Sequence, residues 1–283
     1  MKAKLDTYGQ LTLRNRGYID EKLQVKISDT RILIAGCGVG SAVAEAALRI
    51  GFTKFTLCDA DTVEAHNLNR QDYTSADLGK PKVEALARRL HAIYPEAQVN
   101  AVNSWMTPQN SEELIRSCDF VFDTIDLLSL EGILALHDTA AKLDKPLVSG
   151  FSAGFGAAAL YFPPGGVCTM RSLLGYGPLE SVSNDSYAAR FEPFLETLAT
   201  NLDPTVARNL ARTFELMEDG KPCPAPHVSV GASALAGLMV NAAVRSIAGQ
   251  PLRAAPELVY VNIAQAWATQ GINLTVSKIK KSA

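Results

Sequence analysis

The chain has 283 residues, 47% apolar and 20% charged, with a formal net charge of −2; that is length enough for one large α/β domain or two lobes with a sizeable core. The near-neutral balance lacks the basic footprint of nucleic-acid binding, no stretch approaches about 18 uncharged apolar residues, and MKAKLDTYGQ has no signal-peptide core. A cytoplasmic protein without membrane association is expected, and its five scattered cysteines fit reduced thiols.

Residues 1–30 are polar apart from a short amphipathic stretch through Tyr18, Ile19, Leu23, Val25 and Ile27, and read as an N-terminal helical arm. Arg14 and Arg16 within it read, by themselves, as solvated charges. From Arg31 the pattern changes. The apolar run Ile32 to Ala35 meets a turn carrying Gly36, Gly38 and Gly40; Ser41 then opens a helically spaced segment through Val43, Ala46, Ala47 and Ile50. A second β-type run, Phe55 to Cys58, ends in Asp59 and Asp61. Strand, tight turn, helix and strand make the first half of a mononucleotide-binding unit, whose glycines let backbone approach a phosphate seated on the helix N-terminus. Asp59 lies about 20 residues on, where an acid grips a ribose hydroxyl. Asn67, Asn69, Arg70 and Gln71 follow, and a cation beside the turn suits a triphosphate better than a nicotinamide ring.

The segment from Lys82 through Val83, Leu86, Ala87 and Leu90 is a helix with a lysine in its first turn, where a cation is unfavourable unless an anion compensates it. Val99 to Val102 reads as a strand, Asn110 to Cys118 as a helix, and FVFDTID as a buried parallel strand with Asp123 and Asp126 at its carboxyl end, the ligand side of an open α/β sheet. A capping role on the following helix is the structural alternative for Asp126. Strands are expected at Leu147–Ser149 and Ala157–Phe162, and helices at Tyr187–Leu198, Pro204–Asp219 and His227–Ala248. Val259–Ile263 and Gly271–Val276 read as closing strands before a basic KIKK tail. The division follows as 1–30 arm, 31–150 nucleotide-binding domain and 151–283 substrate or dimerisation lobe.

The run DADTVEAHNLNRQ, Asp59 to Gln71, resembles the D-x-D-x-V-x-x-x-N-L-x-R-Q signature of the ThiF/MoeB/HesA superfamily, bacterial relatives of ubiquitin-activating enzymes. The resemblance covers most of the chain from about Arg14. It implies a Rossmann-like, mostly parallel α/β sheet with an N-terminal helical arm and a C-terminal mixed α/β extension, in a homodimeric adenylyltransferase using ATP and Mg²⁺. Carried over residue by residue, Arg14 (Arg16 as runner-up) would reach the partner subunit's nucleotide. Lys82 would bind phosphate, with Lys80 outside the match, and Asp126 would hold Mg²⁺. Gly36, Gly38, Gly40, Asp59, Asp61, Asn67, Arg70 and Gln71 would line the nucleotide.

The chain departs from the family at several points. The family's G-x-G-G-x-G becomes Ala35-Gly36-Cys37-Gly38-Val39-Gly40, so either the turn shifts by one residue or Cys37 has no need of positive φ. Leu127 replaces an asparagine. The C-x-x-C pairs that hold zinc in many members are missing; Cys168, Cys223 and His227 do not complete a tetrahedral set, and no zinc is expected. The implied reaction is attack by a substrate carboxylate on ATP, giving an acyl-adenylate and pyrophosphate; the carboxylate is a ubiquitin-like carrier tail, a peptide or a small acid. A tRNA-modifying dehydratase of the superfamily is a weaker option, because the chain is not basic. The competing classes are an NAD-dependent oxidoreductase and a non-catalytic adaptor.

Overall fold

The computed structural model describes residues 7–127, 129–177, 180, 204–218 and 226–269. Alternation sets the strands against two cores. In β1 (Arg31–Ala35), Ile32 and Ile34 face one cluster, while Leu33 and Ala35 face the other. A strand buried on both faces is the mark of a parallel sheet covered on two sides. β2 (Lys54–Cys58), β3 (Gln98–Val102), β4 (Phe120–Asp123) and β5 (Leu147–Ala153) pair with it in parallel. β6 (Gly156–Phe162) and β7 (Val259–Asn262) add on antiparallel, giving the order β3-β2-β1-β4-β5-β6-β7. This is the expected Rossmann-like sheet with a mixed C-terminal extension. β5 runs through residues 150 and 151, and the later strands β6 and β7 belong to the same seven-stranded sheet.

Two short helices open the described chain, α1 (Thr7–Thr12) and α2 (Glu21–Asp29), the latter capped by Asp20, which accepts from the Leu23 N–H. α3 (Gly40–Ile50) and α4 (Lys82–Ile93) cover one face of the sheet; α5 (Ser111–Arg116) and α6 (Leu130–Lys142) cover the other. The short α7 (Met170–Leu173) joins this second face. α8 (Pro204–Glu218), α9 (Ser229–Ile247) and α10 (Ile263–Thr269) complete the helices of the described residues. The expected helix at Tyr187–Leu198, Cys223 and the expected strand at Gly271–Val276 with its basic tail lie outside them.

α9 corrects one expectation. It is long and apolar enough to cross a membrane by length and composition. Leu235, Met239 and Ala243 are fully buried in the first core, with β5, β6 and α3 against them. Its alanines and glycines serve close packing, and the same composition raises its hydropathy.

The arm is tied to the C-terminal end of α3. Asn15 and Gln24 donate from their side-chain amides to the Ile50 carbonyl, each at 3.0 Å, and the Tyr8 hydroxyl donates to the Gly51 carbonyl. At the opposite end of the sheet, β4 closes in a buried network. Asp123 is 3% exposed and its carboxylate accepts from the Ile125 N–H, the His137 Nε2 and the Ser149 hydroxyl. With both oxygens satisfied, Asp123 fixes the start of the loop that carries Asp126.

A tight joint that also needs the left-handed region is Gly36, with φ +86° and a Cβ position only 2.4 Å from the Thr124 carbonyl oxygen. Gly17 has φ +98° but open space around it. Gly36→Ala is expected to cost at least about 3 kcal/mol, and Gly17→Ala about 1 kcal/mol, in urea denaturation. Equal costs would contradict the packing described.

Candidate functional site

The strand order reverses direction between β1 and β4, the switch point at which open α/β sheets bind ligands outside their carboxyl ends. The turn from β1 into α3 sits there. Of its residues only Gly36 takes positive φ; Cys37 does not, which resolves the altered glycine pattern. The Cys37 side chain is fully buried in the core rather than over the turn, and burial pushes its thiol well above the ordinary value. Burial likewise pushes the Cys58 and Cys118 thiols to about 12, so neither is a nucleophile near neutrality. Cys168 is partly exposed in α7's approach.

None of the hydrogen bonds among the described residues uses the N–H of Gly38, Val39 or Gly40. These are the orphan donors of a helix N-terminus, carrying its partial positive charge. A Cβ on Gly38 would stand 3.3 Å from Gln71 Nε2, and one on Gly40 would strike the Thr124 hydroxyl at 2.3 Å. The turn is thus bare where a phosphate would rest and clamped on either side.

Asp59 anchors it. This side chain is 6% exposed; Oδ2 accepts from the Cys37 N–H at 2.6 Å, and Oδ1 from the Asp61 N–H at 2.8 Å. Burial raises its pKa, while Lys82 and the two N–H bonds oppose that rise. Asp61 is the anion that Lys82 requires. The Lys82 ammonium, on a residue 6% exposed at the first position of α4, meets Asp61 Oδ2 at 2.8 Å, and the Lys82 N–H donates to the Asp61 carbonyl. An isolated bridge between Thr62 and Pro81 closes the base of the loop between them. Lys80 is exposed outside this pairing.

That loop delivers Asn67, Arg70 and Gln71. Asn67 is buried, and its Oδ1 accepts from the Glu64 N–H in a reciprocal cap of the 3₁₀ turn Ala65–Asn67. Tyr73 donates to the Cys37 carbonyl and the Asp72 N–H to Ser41 Oγ, which straps the loop across the glycine turn. Arg70 NH1 donates to the His66 carbonyl and to Asn69 Oδ1, but its Nε is buried without a partner; so is Gln71 Oε1. An unpaired buried polar atom costs roughly 1–3 kcal/mol, and two beside bare N–H donors fit a polar ligand.

Asp126 lies on the other side of the turn, exposed after β4. The N-cap position of α6 falls to Ser129, whose N–H donates to the Asp126 carbonyl. Burial lowers the Arg70 pKa and the Asp126 charge offsets part of that. His227 completes this group. It precedes α9, shares a 2.5 Å hydrogen bond from Nδ1 with Ser152 Oγ, and accepts at its carbonyl from Asn69 Nδ2. Burial, then Arg70, depress its pKa, against Asp126. The sequence marked His227 only as a helix-start histidine; its place beside Arg70 depends on a contact across 158 residues. Arg14 does not join its own chain's site. It is exposed in the 3₁₀ turn Leu13–Asn15, by the far end of an 11-residue helix, α3, about 16 Å long. Arg16 is exposed beside it.

The residues fit the groups the resemblance implies. The bare donors and Arg70 suit a nucleotide's phosphates, the Gln71 Oε1 suits a hydroxyl or amine donor of its nucleoside, and one exposed carboxylate, Asp126, is the kind of ligand Mg²⁺ takes together with phosphate oxygens. Among the described residues His, Cys, Asp and Glu form no group of three suited to holding a metal ion alone.

Comparison with known proteins places these residues in a family. A model of the ThiF family matches residues 12–281. The tRNA threonylcarbamoyladenosine dehydratase of Haemophilus influenzae is 33% identical over 152 residues, 52% of this chain and 58% of that protein. The sulfur carrier protein ThiS adenylyltransferase of Bacillus subtilis is 32% identical over 58% of this chain and 49% of its own. The Escherichia coli molybdopterin-synthase adenylyltransferase is 36% identical over 45% and 51%. The chain thus spans about half the length of the curated relatives it matches. Among solved structures, E. coli MccB with ATP superposes with TM-score 0.64 over 92% of this chain and 72% of that one, at 16% identity. E. coli TcdA reaches 0.60 over 86% and 96%, at 22% identity, a likeness of fold.

Because the folded protein holds His227 below its ordinary 6.5, the unfolded chain binds more protons as pH falls through that value. The stabilisation from the neutral imidazole is complete above it and is lost toward the folded pKa. The urea midpoint should therefore drop more between about pH 7.5 and 5.5 in the wild type than in His227→Gln. Equal drops would contradict the buried placement of this ring.

Proposed function

The chain belongs to the ThiF family, and from that premise we propose that it is an adenylyltransferase that uses ATP to activate a substrate carboxylate. One observation carries the reading: Arg70 Nε and Gln71 Oε1 are buried and unpartnered beside a glycine turn whose N–H groups are unused. The names of relatives that act on sulfur carrier protein ThiS and on molybdopterin synthase, and a fold neighbour holding ATP, support it. The carboxylate would belong to a carrier tail, a peptide or a small acid.

A carboxylate oxygen attacks the α-phosphorus, the bond to the β-bridging oxygen breaks, and pyrophosphate leaves with the electron pair. The task is positioning and charge neutralisation, since little proton transfer is required. The N–H groups of Gly38, Val39 and Gly40 receive phosphate oxygens; Gly36 and Gly40 let the turn lie close against Thr124. Asp59 and Asp61 form the ribose side. Lys82, held by Asp61 at rest, turns its ammonium to the triphosphate. Arg70 neutralises the leaving charge, and Asn67 acts by holding the loop that presents Arg70 and Gln71. Asp126 would hold Mg²⁺, which supplies further neutralisation of the phosphates.

Arg14 then acts on a second copy's nucleotide, a reading supported by its distance from its own turn. The exposed Val261, Ile263 and Trp267 beside the edge strand β7 offer apolar surface for such a homodimer. We place the protein in the cytoplasm, with no membrane or nucleic-acid partner. Retention of Arg70, Lys82 and Asp126 speaks against a non-catalytic adaptor, and Arg70 against an NAD-dependent oxidoreductase.

Arg70→Ala and Asp126→Ala should each reduce ATP–pyrophosphate exchange by about 10²-fold or more, with melting curves still cooperative. Exchange retained in both variants would overturn the assignment.

A further inference from the structure

Beyond the phosphate side, the β5–β6 hairpin, the start of α8 and the start of α9 enclose a cavity of about 420 Å³. The joint is built closely. A Cβ on Gly154 would stand 3.0 Å from Val206, and one on Gly231 only 2.4 Å from the Gly154 carbonyl oxygen. Phe151, Ala153, Phe155, Val206, Val228 and Ala264 supply its apolar wall. Among the described residues, none that lines it is an Asp, Glu, Lys or Arg. Its size falls in the range of small-ligand sites, roughly 300–1,000 Å³.

What links the cavity to chemistry is its polar edge. Ser152 and His227 line it and are hydrogen-bonded to each other at 2.5 Å. The His227 carbonyl is held by Asn69, next to Arg70, and the charges of Arg70 and Asp126 both act on the His227 ring. The cavity therefore opens beside the very groups that face the phosphates. Resting on the adenylation reading, we propose that this cavity is the acyl pocket and that it selects a carboxylate attached to a bulky, uncharged apolar group. Such a substrate lays its apolar body against Phe151, Val206 and Val228 while its carboxylate passes His227 toward Arg70.

The chemistry of the wall sets the preference. A charged substrate side chain placed there would lose its hydration with no opposite charge among the described lining residues to meet it. A glycine-terminated tail would leave the wall unfilled and forgo the burial of apolar surface. Ser152 and His227 are the polar groups beside the passing carboxylate; the neutral imidazole neither repels Arg70 nor traps the carboxylate as an ion pair.

Non-hydrolysable mimics of the adenylate separate the two sites. Calorimetry would compare 5′-O-sulfamoyladenosine, its N-(3-phenylpropanoyl) derivative and its N-(acetyl-glycyl-glycyl) derivative. The phenylpropanoyl compound should bind about tenfold or more tightly than the glycyl-glycyl compound. Val206→Trp, and independently Ala264→Trp, should bring the two within about twofold while leaving the affinity of the parent compound unchanged. Equal affinities in the wild type, or an advantage that survives both fillings, would overturn the pocket while leaving the nucleotide site intact. Failure of the parent and both derivatives to bind would overturn the adenylation reading together with it.

Discussion

A single buried carboxylate holds the active end of the sheet together. Asp59, at the end of β2, accepts from the Cys37 N–H in the turn after β1 and from the Asp61 N–H in its own loop. Both bonds are charge-assisted, the strong class of protein hydrogen bond. They are bought at the expense of burying an anion, which shows in the raised pKa of the group. The geometry of everything nearby follows. The turn is drawn toward β2, Cys37 is pulled into the core, and the N–H groups of Gly38, Val39 and Gly40 are left facing outward. Asp61 is set where its carboxylate meets Lys82. That pairing in turn resolves the misfit of a cation at a helix start.

The remaining polar groups divide by burial into supports and agents. Asp123, Asn67 and Tyr73 are buried and hydrogen-bonded to neighbours of their own chain. Asp126 is exposed, and Arg70 and Gln71 each keep one buried atom without a partner. Two acids three positions apart thus take opposite parts: Asp123, at the end of β4, locks that strand to β5 and α6, and Asp126 is exposed at the switch point. His227 is the link to the rest of the molecule. Through Ser152 and Asn69 it joins the phosphate side to the cavity under α8 and α9.

Local patterns carried the sheet and the turn. The apolar run Ile32 to Ala35, the glycines and the acid about 20 residues on were readable in the sequence, and the division of that run between two cores is what the fold adds. So was the need of Lys82 for an anion, although Asp61 as its partner depended on how the 20-residue loop closes through Thr62 and Pro81. The conformation of Cys37 was not readable, because a glycine pattern with substitutions admits more than one register. The composition of α9 concealed its burial, since small apolar residues serve a tight core and a membrane equally well. Least legible were the contacts of long sequence separation: Ser149 and His137 on Asp123, and His227 on Asn69 and Ser152. They join positions in β4, β5 and α6 to the loops before α4 and α9, and no periodicity reports on them.

The account stands on convergence of Arg70, Lys82 and Asp126 on one polyphosphate over the Gly36–Gly40 turn. A crystal structure with a non-hydrolysable ATP analogue and Mg²⁺ measures this directly. The account predicts phosphates in contact with the Gly38–Gly40 N–H groups, the Arg70 Nε and Gln71 amide newly partnered, and the metal on Asp126. An analogue bound elsewhere, or one leaving Arg70 and Gln71 as they are now, would contradict it.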